Sequence, residues 1–263
     1  GNANLQPEKT ITFELGLQQQ INSLISLDLA VYNKTIRDLL SQEIINTLDE
    51  KVYARYINRD YGNVRGIAAS LDSRNNNNFS WGVDYTYQIA KGNASDPNAV
   101  FVDFQTNPPK ESEKQVVPLD WDQRHTLNGD IAYSSNRGLS ISLIGRMSTG
   151  QPYTPSNPGS QLTTQFENSD NKPSTYTVDL NIRKIINISS YKFNFFIKIF
   201  NIFDRLNQKT VYSSTGNAYE PYRTEAEREL LLQNPNLTLD QINLRPNYFS
   251  EPRKILLGIK TSF

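Results

Sequence analysis

Cysteine is absent from the 263 residues, and histidine and methionine occur once each. No thiol is available for a disulfide, a covalent nucleophile or a thiolate metal ligand. His125, the single histidine, narrows metal and triad chemistry further. Either would need converging partners, and no motif frames a serine nucleophile or a second imidazole around it. Charge of neither sign dominates, with 27 Lys and Arg against 27 Asp and Glu, so there is no electrostatic argument for nucleic acid as a partner. No run approaches the roughly 20 apolar residues of a membrane-spanning helix, and no leader-like segment opens the chain at Gly1. Together with a mean hydropathy of −0.57, these absences read like a protein at home in water. A membrane β-barrel carries the same signature, because polar lumen residues cancel lipid-facing ones, so hydropathy does not separate the two.

The strongest positive signal lies between Thr175 and Arg205. Tyr176, Val178, Leu180 and Ile182 alternate with Thr177, Asp179, Asn181 and Arg183. After the link Asn187-Ile188-Ser189-Ser190 the alternation resumes, with Tyr191, Phe193, Phe195, Ile197 and Ile199 against Lys192, Asn194 and Lys198. A period of two predicts a β-hairpin with one apolar and one charged face. Unpaired ions do not sit in apolar cores, so the charged face meets water or a wet interior. Two architectures fit: the cover of a soluble sandwich, or the wall of a membrane barrel.

The same alternation predicts seven further strands. They start with Ile11 to Gln18, Ile25 to Val31 and a weak third at Arg65 to Asp72, followed by the turn Asn75 to Asn78 and the aromatic Phe79 to Ile89. Arg124 to Ser134, Leu139 to Ser148 and the closing Lys254 to Phe263 complete the nine. Thr35 to Asp49 fits a strand extension or a short helix equally well. Gly92 to Pro118 reads as a long polar loop, with Asp96-Pro97, Asn107-Pro108-Pro109 and a mixed charge cluster at Lys110 to Lys114. Gly150 to Pro173, with four prolines and no apolar period, reads as another. In the long connection after Phe203, Thr224 with Glu227 and Thr238 with Gln241 fit capping boxes of two short helices. Aromatic residues and abundant Asn, Ser and Thr favour strands joined by polar loops.

Connection lengths decide between the two architectures. The turns near Gln20, Asn76, Arg137 and Ser189 are short and those between them long, which a sandwich does not require and an outer-membrane barrel does. The alternating segments run to roughly 9 to 11 residues, the length that crosses hydrocarbon at a tilt. Phe79, Trp81, Tyr133, Tyr191, Phe203 and Phe263 recur near strand ends as interface girdles do. Nine is an odd number, and an open sheet would leave two unpaired edges in lipid. The expected fold is therefore all-β, an antiparallel transmembrane β-barrel of which residues 1–263 form the C-terminal portion.

Several stretches resemble one family, the TonB-dependent outer-membrane receptors, in its subgroup with a carboxypeptidase-regulatory-like extension. They are Leu5-Gln6-Pro7-Glu8-Lys9 with Phe13-Glu14-Leu15-Gly16-Leu17, Asp60-Tyr61-Gly62-Asn63-Val64-Arg65-Gly66, and Trp121-Asp122-Gln123-Arg124-His125-Thr126-Leu127-Asn128. Gly150-Gln151-Pro152-Tyr153-Thr154-Pro155, Asn201-Ile202-Phe203-Asp204 and the end from Pro252-Arg253-Lys254 through Gly258 to Phe263 complete the set. The resemblance implies the last nine of about 22 strands around a plug. The plug and the TonB-contacting segment are missing from this stretch. It further implies a place in the Gram-negative outer membrane and uptake of a scarce ligand such as a siderophore, glycan or peptide. The implied partners are membrane lipid, the barrel-assembly machinery and the TonB complex through the plug region. A non-transporting barrel with a binding or adhesion role is the alternative.

No residue pattern marks a catalytic, cofactor or metal site, so the protein is read as a non-enzyme without cofactors. Tyr153, Tyr212, Tyr219 and Tyr222 lie in the long loops, where rings can stack on a ligand or simply pack the loop. Gly258 and Phe263 match the family's terminal assembly signal, while Thr261 stands where an apolar residue is usual and Leu256 where a polar one is. Asp84, Asp130, Arg146, Asp179, Arg183 and Lys198 form the lumen row, a polar wall expected to pair across strands or against the plug.

Overall fold

The computed structural model describes residues 2–49, 51–76, 78–93, 98–105, 116–156, 167–189, 191–233, 236 and 238–262. Twelve strands run β1 (Lys9–Gln20), β2 (Ile25–Asn46), β3 (Val52–Asn76), β4 (Phe79–Gly92), β5 (Val117–Pro118), β6 (His125–Ser134), β7 (Leu139–Ser148), β8 (Pro152–Tyr153), β9 (Asp170–Asn171), β10 (Thr175–Ile188), β11 (Tyr191–Phe200) and β12 (Lys254–Ser262). Helices α1 (Ala99–Phe104), α2 (Glu225–Leu232) and α3 (Leu239–Asn243) and a 3-10 turn at Pro246–Tyr248 lie in the connections. Nine strands pair antiparallel in chain order, β1-β2-β3-β4-β6-β7-β10-β11-β12, and the sheet stays open between β1 and β12. β5 adds two residues beside the end of β4, and β8 with β9 forms a separate two-residue ladder.

Register turns the alternation into two faces. Ser73, Trp81, Ile131, Leu143, Leu180, Ile199 and Ile255 line up as successive cross-strand partners. One residue along, the row is Ser142, Asn181, Lys198 and Leu256. Among the described residues the apolar face stays broadly exposed. Leu15 is 78% exposed at one end of the sheet and Leu257 73% at the other, and Ile131 midway is still 45% exposed. So wide an apolar surface is stable against hydrocarbon, not against water.

The nine long strands include the segments where alternation predicts them, and the turns near Gln20, Asn76, Arg137 and Ser189 lie at one end, called here the turn end. At the other end the connection between β2 and β3, expected to be long, is only the five residues 47–51, because both strands continue to it. The structure settles Thr35 to Asn46 as strand, with Thr47 to Asp49 in the turn that follows. β2 and β3 continue as a paired hairpin of 22 and 25 residues, well beyond the rest of the sheet. The register shifts near Leu39 and the left-handed Asp38 (φ 61°) are β-bulge features that break the simple period of two in the sequence. β3, the faintest strand by pattern, is the longest in the fold. Its polar-face positions Gly66 and Ser70 are small beside larger neighbours, Tyr32 at Gly66 and Asp84 at Ser70. Tyr32, the register partner of Gly66, lies so close that a Cβ at 66 would come within 2.6 Å of its hydroxyl. The loop from Gly92 to Pro118 is not wholly irregular, since it contains α1 and β5. Asn75 and Asn76 belong to β3 rather than to the turn. The Asp96-Pro97, Asn107-Pro108-Pro109 and Lys110 to Lys114 features lie outside the described residues.

Both capping boxes form. Glu227 N donates to Thr224 Oγ1 (3.4 Å) while Thr224 N donates to Glu227 Oε2 (2.9 Å), and Thr238 with Gln241 repeats the exchange at 3.3 and 3.0 Å. Sequence proximity suffices for this structure.

Two outcomes are expected. In the full-length protein folded into vesicles, Leu180→Arg lowers unfolding free energy by about 2 to 4 kcal/mol near the midplane, while Asn181→Arg changes it little. Equal losses in denaturant titrations would contradict a lipid-facing Leu180. Separately, the Thr224 backbone N–H and then its hydroxyl hold the Glu227 carboxyl below the usual range. The depressed value means the cap supports α2 fully above the ordinary Glu pKa and weakens as pH falls through the folded one. Amide exchange of α2 should rise on acidification, and the pH dependence should vanish in Glu227→Gln, which has no carboxyl to titrate, while Thr224→Ala, which keeps the backbone donor, should only weaken it.

Candidate functional site

At the end opposite the short turns, called the loop end, the sheet ladder stops, and side chains take over the pairing. Asp122, 2% exposed, accepts from Ala90 N (2.8 Å) and from Arg124 Nε (2.7 Å). Beside it Leu119 packs on Val64 and Ala90, with Tyr32 and Ile36 around them, in a compact core on the polar face. Asp60, 3% exposed, accepts from Asn93 Nδ2 (2.9 Å), and Asn93 Oδ1 accepts from Tyr61 N (2.8 Å). These bonds hold Asn93 and the 119–124 segment against β3 and β4.

Asn201 and Asn207 do the same for the last connection. Asn201, left-handed at φ 52°, donates its N–H to Asp179 Oδ1 (2.9 Å) and its amide to the carbonyls of Arg205 (2.9 Å) and Glu251 (3.2 Å). Asn207 acts as a substitute strand: Oδ1 accepts from Tyr176 N (3.0 Å) and Nδ2 donates to Tyr176 O (2.8 Å). Arg205 lies over the Tyr176 ring at 4.2 Å, a cation–π contact. Each replaced bond matters because a buried unpaired backbone group costs about 1 to 3 kcal/mol.

The four loop tyrosines divide into two kinds. Tyr153 donates its hydroxyl to Asp170 Oδ2 (3.0 Å). Burial, then that carboxylate, pushes the phenol pKa up, so it stays neutral and a donor. Tyr212 donates to Asn243 O (2.6 Å) and packs on Tyr248 at 5.1 Å. Both hydroxyls are thus committed to holding the loops. Tyr219 rests against Phe249 at 5.2 Å yet is 56% exposed, and Tyr222 is 53% exposed. The structure brings the loops together: Ser156 N donates to Ser213 O (2.9 Å), and Gly216 sits against the Tyr153 hydroxyl. Asn168, invisible as a site in the sequence, is 5% exposed and donates to Pro118 O (2.9 Å) and Asp120 Oδ1 (2.7 Å), joining the first loop to the second.

Of the terminal pair, Phe263 lies outside the described residues. Gly258 faces Phe196, its register partner on β11, whose ring occupies the space a Cβ would take. Sequence alternation passed over Phe196, an aromatic on the polar face. Along the polar face Arg146 Nη1 pairs with Asp179 Oδ2 (3.0 Å), and Ser70 Oγ donates to Asp84 Oδ1 (2.7 Å). Asp130 and Asp72 flank Gly82, and Lys198 Nζ stands 5.8 Å over the Phe196 ring. His125 is on the apolar face, with Nδ1 2.8 Å from Tyr85 Oη and its ring beside Tyr87 at 5.2 Å.

The family profile described as TonB dependent receptor-like, beta-barrel matches residues 1–217. No curated protein matches by sequence. Among solved structures, the outer membrane transporter YddB from Escherichia coli is 13% identical with TM-score 0.60, over 78% of this chain and 30% of that one. The ferric-catecholate import receptor Fiu from E. coli K12 is 15% identical with TM-score 0.55, over 99% and 28%. FpvA from P. aeruginosa, in complex with a pyoverdine and iron, is 12% identical with TM-score 0.59, over 97% and 27%. The chain thus spans less than a third of the length of each, and the likeness is one of fold. With an open, antiparallel all-β sheet, loops gathered at one end and a profile match across most of its length, the chain belongs to the TonB-dependent receptor β-barrel family.

Proposed function

We propose that this chain is the C-terminal wall of an outer-membrane receptor that imports a scarce ligand, a siderophore, glycan or peptide. The whole barrel has about 22 strands closed around a plug. The plug region relays energy from the TonB complex. The observation that carries the reading is the combination of a bare apolar face with long connections gathered at one end, in a chain of this family. Tyr219 and Tyr222 meet the ligand, because their rings are exposed on a platform that Tyr153 and Tyr212 stiffen.

The test is a deletion of the full-length gene, with growth compared on iron chelates, glycans and peptides as sole sources. Loss of growth on one class, reproduced by removing TonB, supports import; unchanged growth on all overturns it. A surface-adhesion defect independent of TonB would favour the non-transporting alternative. On the class identified, Tyr219→Ala with Tyr222→Ala should lower uptake about tenfold at equal surface abundance, the size of a lost stacking contact.

Gly258 and Phe263 serve barrel assembly, Phe263 as the signal recognised by the assembly machinery and Gly258 as the seat of the Phe196 ring. Deleting Phe263 should reduce heat-modifiable protein in the outer membrane; unchanged amounts would remove it as a signal. Gly258→Val should also reduce it, and Phe196→Ala in the same chain should restore it if the fault is steric.

A further inference from the structure

The apolar face changes character at its loop end. Lys9, Arg37, Arg65, Lys91 and His125 all fall on it and all are exposed. Of the acidic residues of the same strands, Glu14, Asp28, Asp72, Asp84 and Asp130 fall on the polar face, since each pairs in register with a polar-face neighbour, and Glu43 is paired with Arg55 farther along the β2–β3 hairpin. The carboxylates nearest the basic row are mostly engaged elsewhere. Asp60 takes Asn93 and Arg59, and Glu8 takes Leu40 N. Asp38 approaches Lys9 at 3.8 Å. Among the described residues no ion pair closes on Arg37, Arg65 or Lys91.

Two placements run against ordinary sheet chemistry. Lys9 is the direct cross-strand partner of Arg37, and like charges directly opposite one another are destabilising. Arg65 is opposite Ile89, and Lys91 is the next same-face residue on that strand, so the two residues are diagonal neighbours whose backbones lie about 7 to 8 Å apart, within reach of a common point for two long side chains. That separation lets one phosphate sit between a guanidinium fork and an ammonium. Immediately turnward of this row come Phe13, 71% exposed, Leu15, 78%, and Ile67, 45%, with the Tyr85, Tyr87 and His125 group beside them. Tyrosines of this kind sit at membrane interfaces, apolar body inward and hydroxyl outward. The turn end of the same face lacks such a row: Lys184 there donates its Nζ to Arg137 O (2.8 Å).

We propose that the loop end of the apolar face of β1 to β4 and β6 binds the phosphate groups of lipids in the surrounding leaflet, with Arg65 and Lys91 as the principal phosphate site. Cations and exposed apolar side chains adjoin on one face, so the occupant is a molecule with both a phosphate and acyl chains. A free anion would leave the apolar rows unused. The inference rests on the membrane placement proposed above.

The experiment uses the full-length protein in nanodiscs of phosphatidylcholine with or without phosphatidic acid, followed by detergent extraction and native mass spectrometry of retained lipid. Phosphatidic acid should be retained over phosphatidylcholine, and Arg65→Gln with Lys91→Gln should reduce that retention at least tenfold while heat-modifiability stays unchanged. Arg65→Lys with Lys91→Arg keeps the charge and should keep most retention, and Lys184→Gln at the turn end should change nothing. Equal retention of both lipids, wild-type retention by the double Gln variant, or complete displacement by millimolar inorganic phosphate would overturn the proposal. Failure of the wild-type protein to insert at all would overturn the membrane reading along with it, whereas normal insertion without phosphate preference would overturn this inference alone.

Discussion

Every backbone N–H and C=O in a strand surrounded by hydrocarbon must find its partner in the next strand, because no water is there to take it. The rest of this structure follows from that requirement. It excludes crossovers inside the sheet, so the nine strands pair in chain order. It leaves side chains free to differ only by parity, so one face is apolar through its middle and the other holds most of the ions. It also forces irregular backbone to the ends, where long connections begin. There the ladder must stop without leaving orphan groups, and Asp122, Asn201 and Asn207 supply the missing bonds from their side chains. The stretches that resemble the receptor family are largely these junctions, which is a physical reason for such residues to stand where they do.

Electrostatics adds a second layer to the two-faced sheet. On the polar face, opposite charges and hydroxyls pair across strands, as Arg146 does with Asp179 and Ser70 with Asp84, where the dielectric is high enough to make such pairs inexpensive. On the apolar face, charge appears only toward the ends, and at the loop end it is mainly basic, with Asp38 approaching Lys9. The same face thus grades from alkyl side chains through tyrosines to cations, following the gradient of polarity across a membrane surface. Aromatic residues over glycines, Tyr32 on Gly66 and Phe196 on Gly258, close the gaps that small residues would open on the polar side.

The loops use their aromatic residues differently from one another. Tyr153 and Tyr212 end in hydrogen bonds that hold the platform, and Tyr219 and Tyr222 leave ring surface available. A phenol is well suited to either role, since it combines an apolar plate with one donor and loses little freedom when fixed. Which role a given tyrosine takes depends on whether an acceptor such as Asp170 or the Asn243 carbonyl is brought within reach.

The amino-acid order by itself determined what repeats at short range. Strict alternation in segments such as Tyr176 to Ile182 specified strands and their faces. Turn residues placed the short connections, and Thr224 with Glu227 specified a helix start, since all the interacting groups lie within a few residues. Tertiary structure decided what depends on register. The β2–β3 hairpin extends past Thr35 through a bulge at Asp38 that shifts the pairing and hides the strand from a period count. β3 looks faint because Gly66 and Ser70 yield room to Tyr32 and Asp84 on other strands. Phe196 meets Gly258, and Asn168 joins two loops, through contacts between residues far apart in the chain. Local pattern carries the period of a strand, but the partner of a side chain across the sheet exists only once the strands are paired.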